Sequence, residues 1–182
     1  MMSRIRFTIA CSVIALAVLL SPGCGYSLSG RGSFLPADIK TIGVPMFQNN
    51  TSVYEVERKV TERVISELIG RGHYTVLPQS TGVDAVLAGE ITAISLVPSG
   101  FNQQQQASRY VLTLIAKVEL RDVKANKVIW ANPSLQFSEQ YDMSNSNTSQ
   151  DANAFLRQDA NALERLATEF ARAVVSAMLE AF

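Results

Sequence analysis

The sequence predicts an α+β fold in which one mostly antiparallel, mixed sheet of four to five strands carries two helices on one face. Three observations predict it. Residues 108–122 (SRYVLTLIAKVELRD) alternate apolar and polar side chains, the period of a strand with one covered face. Residues 53–68 and 152–178 repeat apolar positions every three or four residues, the period of a helix with one buried stripe. In order, the segments read β-α-β-β-β-β-α, and the economical packing of that order places both helices on the same side of one sheet.

The chain opens with Arg4 and Arg6, followed by an apolar run of about 14 residues at 7–20 (FTIACSVIALAVLL). Crossing a bilayer takes about 20 such residues, so the run suits the core of a secretory signal peptide instead. Ser21 and Gly23 are small enough for a signal peptidase, and the cysteine beside them, Cys24, resembles the acylated position of a bacterial lipobox. The fit is not complete, because Pro22 intervenes and Leu20 stands one place earlier than the pattern has it. Cys11 would leave with the signal peptide, and Cys24 would then stand alone with no disulfide partner. Acylation accounts for that odd cysteine. Three acyl chains, at about 0.8 kcal/mol per buried methylene, would make a durable anchor. The organisation expected is a signal peptide at 1–23, a lipidated N-terminus and linker at 24–38, and one domain at 39–182.

Composition narrows the function. Removing residues 1–23 leaves 159 of the 182, with 14 basic and 16 acidic residues. That is about one domain, able to bury roughly 68–70% of its unfolded surface without a metal or disulfide staple. A formal charge of −2 on the mature chain argues against nucleic acid as a partner, since that needs a basic face.

Along the mature chain, 25–38 mixes Gly, Ser and Pro as a linker does. Residues 39–45 (IKTIGVP) read as a first strand. Thr51 or Ser52 is placed to cap a helix from Val53, whose buried stripe would be Val53, Val56, Val60, Val64 and Leu68, with Gly70 and Gly72 ending it. Residues 73–77 form a short strand stopped by Pro78, and 85–97 a longer one bounded by Pro98. A glutamine-rich loop is expected at 98–107 before the alternating strand. A turn at Asn126 leads into a return strand at 127–130, which is interrupted at Asn132-Pro133 and resumes at 134–141; proline there suggests a bulge or an edge. A polar loop at 142–151 precedes the final helix, whose stripe is Leu156, Leu163, Leu166, Phe170, Val174 and Met178.

Catalytic chemistry finds little support. There is no zinc-protease, Cys-x-x-Cys, nucleophile-elbow or phosphate-loop motif. His73 is the only histidine and reads as a turn residue. Glu55 and Glu62 read as solvated helix charges, and Trp130, Phe137 and Tyr141 as core. Two features point to a partner. The loops at 98–107 and 142–151 are long and rich in amides and hydroxyls. Arg109, Lys117 and Arg121 form a cationic row on the polar side of the alternating strand, with Glu119 interleaved.

CGYSLSG behind a signal peptide, then LPADIKTIGVPMFQNNTS, a helix ending LIGRG, and DAVLAGEIT together resemble the LPS-assembly lipoprotein family, LptE. The resemblance covers nearly the whole mature chain. It implies a small α/β plug, held at the inner leaflet of the outer membrane by lipid on Cys24 and seated in a large β-barrel, LptD. Such a plug supports assembly of the barrel and takes part in lipopolysaccharide transport without catalysing a reaction. No cofactor is implied beyond the covalent lipid. Gly25, where an aspartate would signal inner-membrane retention, agrees with outer-membrane sorting. Neither long loop offers a cation in its middle, so Arg109, Lys117 and Arg121 are the candidate lipopolysaccharide contacts. Phe101, Asn102, Gln103, Asn145 and Asn147 are the candidate barrel contacts.

The first strand and helix also resemble periplasmic lipoproteins that regulate cell-wall synthases or build secretion pores of the CsgG type. A pore-former would need long amphipathic hairpins with an outward apolar face, and none is expected between Leu87 and Tyr141. A regulator often carries a longer arm than the linker of about 14 residues here, which reaches at most roughly 50 Å.

Overall fold

The computed structural model describes residues 35, 36, 38–71, 73–142, 152–158 and 160–181. Six strands form one mixed sheet: β1 (Thr41–Gly43), β2 (Gln48–Asn49), β3 (Thr75–Leu77), β4 (Ala85–Phe101), β5 (Ala107–Asp122) and β6 (Lys127–Asp142). Among the described residues three helices accompany it: α1 (Val56–Gly70), α2 (Ala152–Gln158) and α3 (Ala160–Leu179). The strand order is β3-β1-β4-β5-β6, with β2 alongside β4. β1 is parallel to β3 and β4, β2 is parallel to β4, and β4, β5 and β6 run antiparallel in turn. The α+β sheet with helices predicted from sequence is what the chain forms.

The alternation in β5 sets the layers. Tyr110, Leu112, Leu114, Ala116, Val118 and Leu120 are buried, and the residues between them are not. On the buried side lie α1, through Val56, Val60, Val64 and Leu68, and α3, through Leu166, Phe170, Val174 and Met178. Full burial of such side chains stabilises by about 1.5–3 kcal/mol each. The helices are also tied to each other, because Glu164 of α3 receives Lys59 of α1 at 2.7 Å and pairs with Arg63. These cations, with the Lys59 hydrogen bond foremost, hold its carboxyl below the ordinary value against the opposing effect of burial. Leu35, inside the segment read as linker, is 3% exposed and belongs to this core.

Several local expectations are corrected. α1 starts at Val56, and neither Thr51 nor Ser52 caps it; the residue before it is Glu55, with a left-handed φ of 62°. Thr51 instead closes a local turn, its Oγ1 accepting from the Val53 amide at 3.2 Å. The loop expected at 98–107 shrinks to five residues, because β4 continues through Pro98 to Phe101. Pro98 is tolerated because a bulge follows it and because β1 and β2 pair only with earlier residues of β4. β6 is continuous through Pro133, by way of a bulge on an edge strand. Long hairpins therefore do exist between Leu87 and Tyr141: β4, β5 and β6 have 17, 16 and 16 residues.

Candidate functional site

The face of β4–β6 opposite the helices is the candidate site, and β5 positions it. Arg109, Lys117 and Arg121 all lie on it, as alternation requires. The strand spreads them out, since the twelve residue steps from Arg109 to Arg121 span about 40 Å.

Their surroundings differ. Arg109 donates from Nε to Oδ1 of Asp142, its cross-strand partner, at 2.7 Å. Gly100 lies beneath it, where an added Cβ would come within 3.2 Å of the Arg109 Cβ. Arg121 donates from Nη2 to Glu119 Oε1 at 3.2 Å. Lys117 forms no ion pair among the described residues. It stands opposite Glu90, whose carboxylate already accepts from Asn50 Nδ2 at 2.5 Å. Lys117, Glu90, Glu119, Gln48, Ala88 and Gly89 line a shallow depression of about 180 Å³. Its floor is fixed from behind, because Phe47 packs into the space a side chain on Gly89 would need.

The tip joining β4 to β5 is built by Asn102. Its Oδ1 accepts from the amides of Gln104 and Gln106 at 3.0 and 2.9 Å, and Gln105 takes a left-handed φ of 59°. Asn102 and Gln103 are therefore on a hydrogen-bonded turn. Phe101 precedes them as the last residue of β4 and is 66% exposed. Asn145, Asn147 and Cys24 lie outside the described residues.

Two clusters brace the ends of the ribbon, and sequence reasoning missed both as clusters. Tyr141 is buried against Phe155, with ring centroids 5.5 Å apart, under the guanidinium of Arg165 at 4.8 Å. Its hydroxyl donates to Glu139 at 2.9 Å, and burial first, then that carboxylate, push the phenol well above its ordinary value. At the other end Asp84 gathers Lys40, Thr41 and Lys124. Tyr141 was readable as core from its strand spacing, whereas nothing local signals the meeting of Asp84 with Thr41.

The remaining acid–base candidates are surface residues. His73 is exposed between α1 and β3, edge-on to Tyr74. Glu55 and Glu62 flank Arg58 on the outside of α1. Trp130 and Phe137 pack against the core from β6. Among the described residues no group of three metal-ligating side chains comes together, and no helix is long and apolar enough to cross a membrane.

With this geometry in view, the family model described as LptE, lipopolysaccharide-assembly, matches residues 39–178. Among curated proteins none matches the chain in sequence. In structure the chain is similar to a PelC dodecamer from Paraburkholderia phytofirmans, with a TM-score of 0.51 and 16% identity over 82% of this chain and 93% of that one. It is also similar to a hypothetical protein from Chlamydia trachomatis, with a TM-score of 0.53 and 12% identity over 78% and 96% of the two chains. At these identities the likeness is one of fold.

Proposed function

The chain belongs to the LptE lipopolysaccharide-assembly family, and from that premise we propose that it is an outer-membrane lipoprotein, anchored through Cys24, that plugs an LptD-type β-barrel. In that role it supports assembly of the barrel and takes part in moving lipopolysaccharide to the cell surface, with no reaction catalysed. The observation that carries this reading is the family match, which spans nearly all of the domain.

The surface is compatible with a wet barrel lumen. The amide tip and the Thr113–Ser138 hydroxyl pair on the free face present donors and acceptors that polar walls can satisfy. The cationic row supplies the candidate lipopolysaccharide contacts. Arg109 and Arg121 would have to give up Asp142 and Glu119 to meet a phosphate, whereas Lys117 has no ion pair to break among the described residues. Lys117 is therefore the leading contact of the three.

The length of β4–β6 gives the pore-forming alternative a feature that the sequence did not promise. Against it, one face is covered by helices and the other carries Glu90, Lys117, Glu119 and Arg121. A lipid-facing strand needs an uninterrupted apolar band about 25 Å tall. The test is depletion: cells lacking this chain should lose both surface lipopolysaccharide and mature barrel, and a Cys24→Ser variant should leave the membrane fraction. Normal surface lipopolysaccharide after depletion would refute the reading.

A further inference from the structure

Among the described residues Lys117 is the one cation of its row without an ion pair, although carboxylates stand on two sides of it. Glu90 is its direct cross-strand neighbour on β4, and Glu119 lies two residues on along the same face of β5. Opposite charges at such positions attract. Each of these acids is engaged elsewhere. Glu119 accepts from Arg121 Nη2 at 3.2 Å, and Glu90 accepts from Asn50 Nδ2 at 2.5 Å. Toward β6 the register sets Pro133 and Ser134 opposite Lys117, and the preceding residue on this face of β5 is Ile115, so neither direction brings a further acid.

Asn50 is built into its place. Its amide donates to the Ile91 carbonyl at 3.0 Å, one residue from Glu90 on β4. Asn49 before it fixes the turn that follows: its Oδ1 accepts from the amide and hydroxyl of Thr51 at 2.9 and 2.8 Å, and its Nδ2 donates to the Val53 carbonyl at 2.9 Å. Asn50 follows β2, on the edge of β4 away from β5, so its hydrogen bond draws the Glu90 carboxylate away from Lys117.

We propose that Asn50 is a positioning residue for Lys117: by holding Glu90, it keeps the ammonium unpaired on the free face and open to an anionic group. The inference rests on the reading of Lys117 as the leading lipopolysaccharide contact, and it adds the residue that sets the availability of that contact.

The experiment follows the full chain in detergent by two readouts, the rate at which an amine-directed acylating reagent labels Lys117, read by peptide mass spectrometry, and the affinity for labelled lipopolysaccharide. Ion pairing favours the ammonium over the nucleophilic free amine and so slows acylation. Asn50→Ala keeps the backbone hydrogen bond to Ile91 and removes only the side-chain donor. It should slow labelling of Lys117 and weaken lipopolysaccharide binding, each by about two- to fivefold, the size of one exposed ion pair. Adding Glu90→Gln should restore both, whereas Glu90→Gln in the parent should change labelling little, because there Asn50 already holds the carboxylate. Unchanged labelling in Asn50→Ala, or a loss that Glu90→Gln does not restore, would overturn the proposal, the second by marking Asn50 as merely structural. A parent that binds no lipopolysaccharide while labelling follows the expected order would uphold the positioning role and refute the contact reading instead.

Discussion

Thr41 and Asp84 hold each other reciprocally across 43 residues of sequence: the Thr41 amide and hydroxyl donate to Asp84 Oδ2 at 3.0 and 2.8 Å, and the Asp84 amide donates to Thr41 Oγ1 at 2.9 Å. Lys124 completes the knot with an ion pair to Asp84 Oδ1 at 2.7 Å. One carboxylate thus joins β1, the start of β4 and the turn between β5 and β6.

This knot predicts an acid-sensitive contribution to stability. The Lys124 hydrogen bond, then those from Thr41 and Lys40, hold the Asp84 carboxyl well below the usual carboxylate range. Because folding lowers its pKa, the stabilisation is complete above the unfolded value of about 3.9 and is lost as the pH falls below it. Asp84→Asn should lower the melting temperature at neutral pH. The gap between variant and parent should narrow between about pH 5 and about pH 2, as thermal melts across that range would record. A gap independent of pH would contradict the assignment.

Gly89 is predicted to be intolerant of a side chain. A Cβ there would fall 2.1 Å from the ring of Phe47, which is buried in the core. Gly89→Ala should cost about 1–3 kcal/mol in chemical denaturation. Phe47→Leu in the same chain should recover part of that cost by vacating the space.

The helix layer carries a charge-based link whose worth depends on salt. Glu164 joins Lys59 and Arg63 of α1 to α3. Glu164→Gln should destabilise by about 1 kcal/mol at low ionic strength and by less at 1 M salt, where the Debye length falls to about 3 Å. Urea titrations at the two salt concentrations would measure the difference.

For lipopolysaccharide contact, the three cations should not be equivalent. Lys117→Ala should weaken binding of lipopolysaccharide to the purified protein more than Arg109→Ala or Arg121→Ala, because among the described residues only Lys117 of the three lacks a carboxylate partner to release. Fluorescence titration with labelled lipopolysaccharide would rank them. Equal effects would mean that the row does not make the contact residue by residue.

What could be read from sequence was periodic. The strand alternation of β5 and the stripe Val56–Val60–Val64–Leu68 reach the structure unchanged, because each follows from burying one face of a regular element. What could not be read depended on distant partners or on local exceptions. Pro98 looks like a strand end until the bulge beside it and its distance from the stretch of β4 that pairs with β1 and β2 are known. Glu55 in a left-handed conformation displaces the start of α1 from the capping residues, and nothing in its side chain announces that. The row Arg109, Lys117, Arg121 was legible as a row, while the pairing that neutralises two of its members needed the cross-strand and same-face neighbours.

The central claim, that this chain serves as the partner of an outer-membrane β-barrel, is tested most directly by affinity capture from detergent-solubilised outer membranes with a C-terminal tag. Recovery of one large β-barrel in equimolar amount is the result the account predicts. Recovery of a cell-wall synthase, or of a ring of this chain alone, would contradict it.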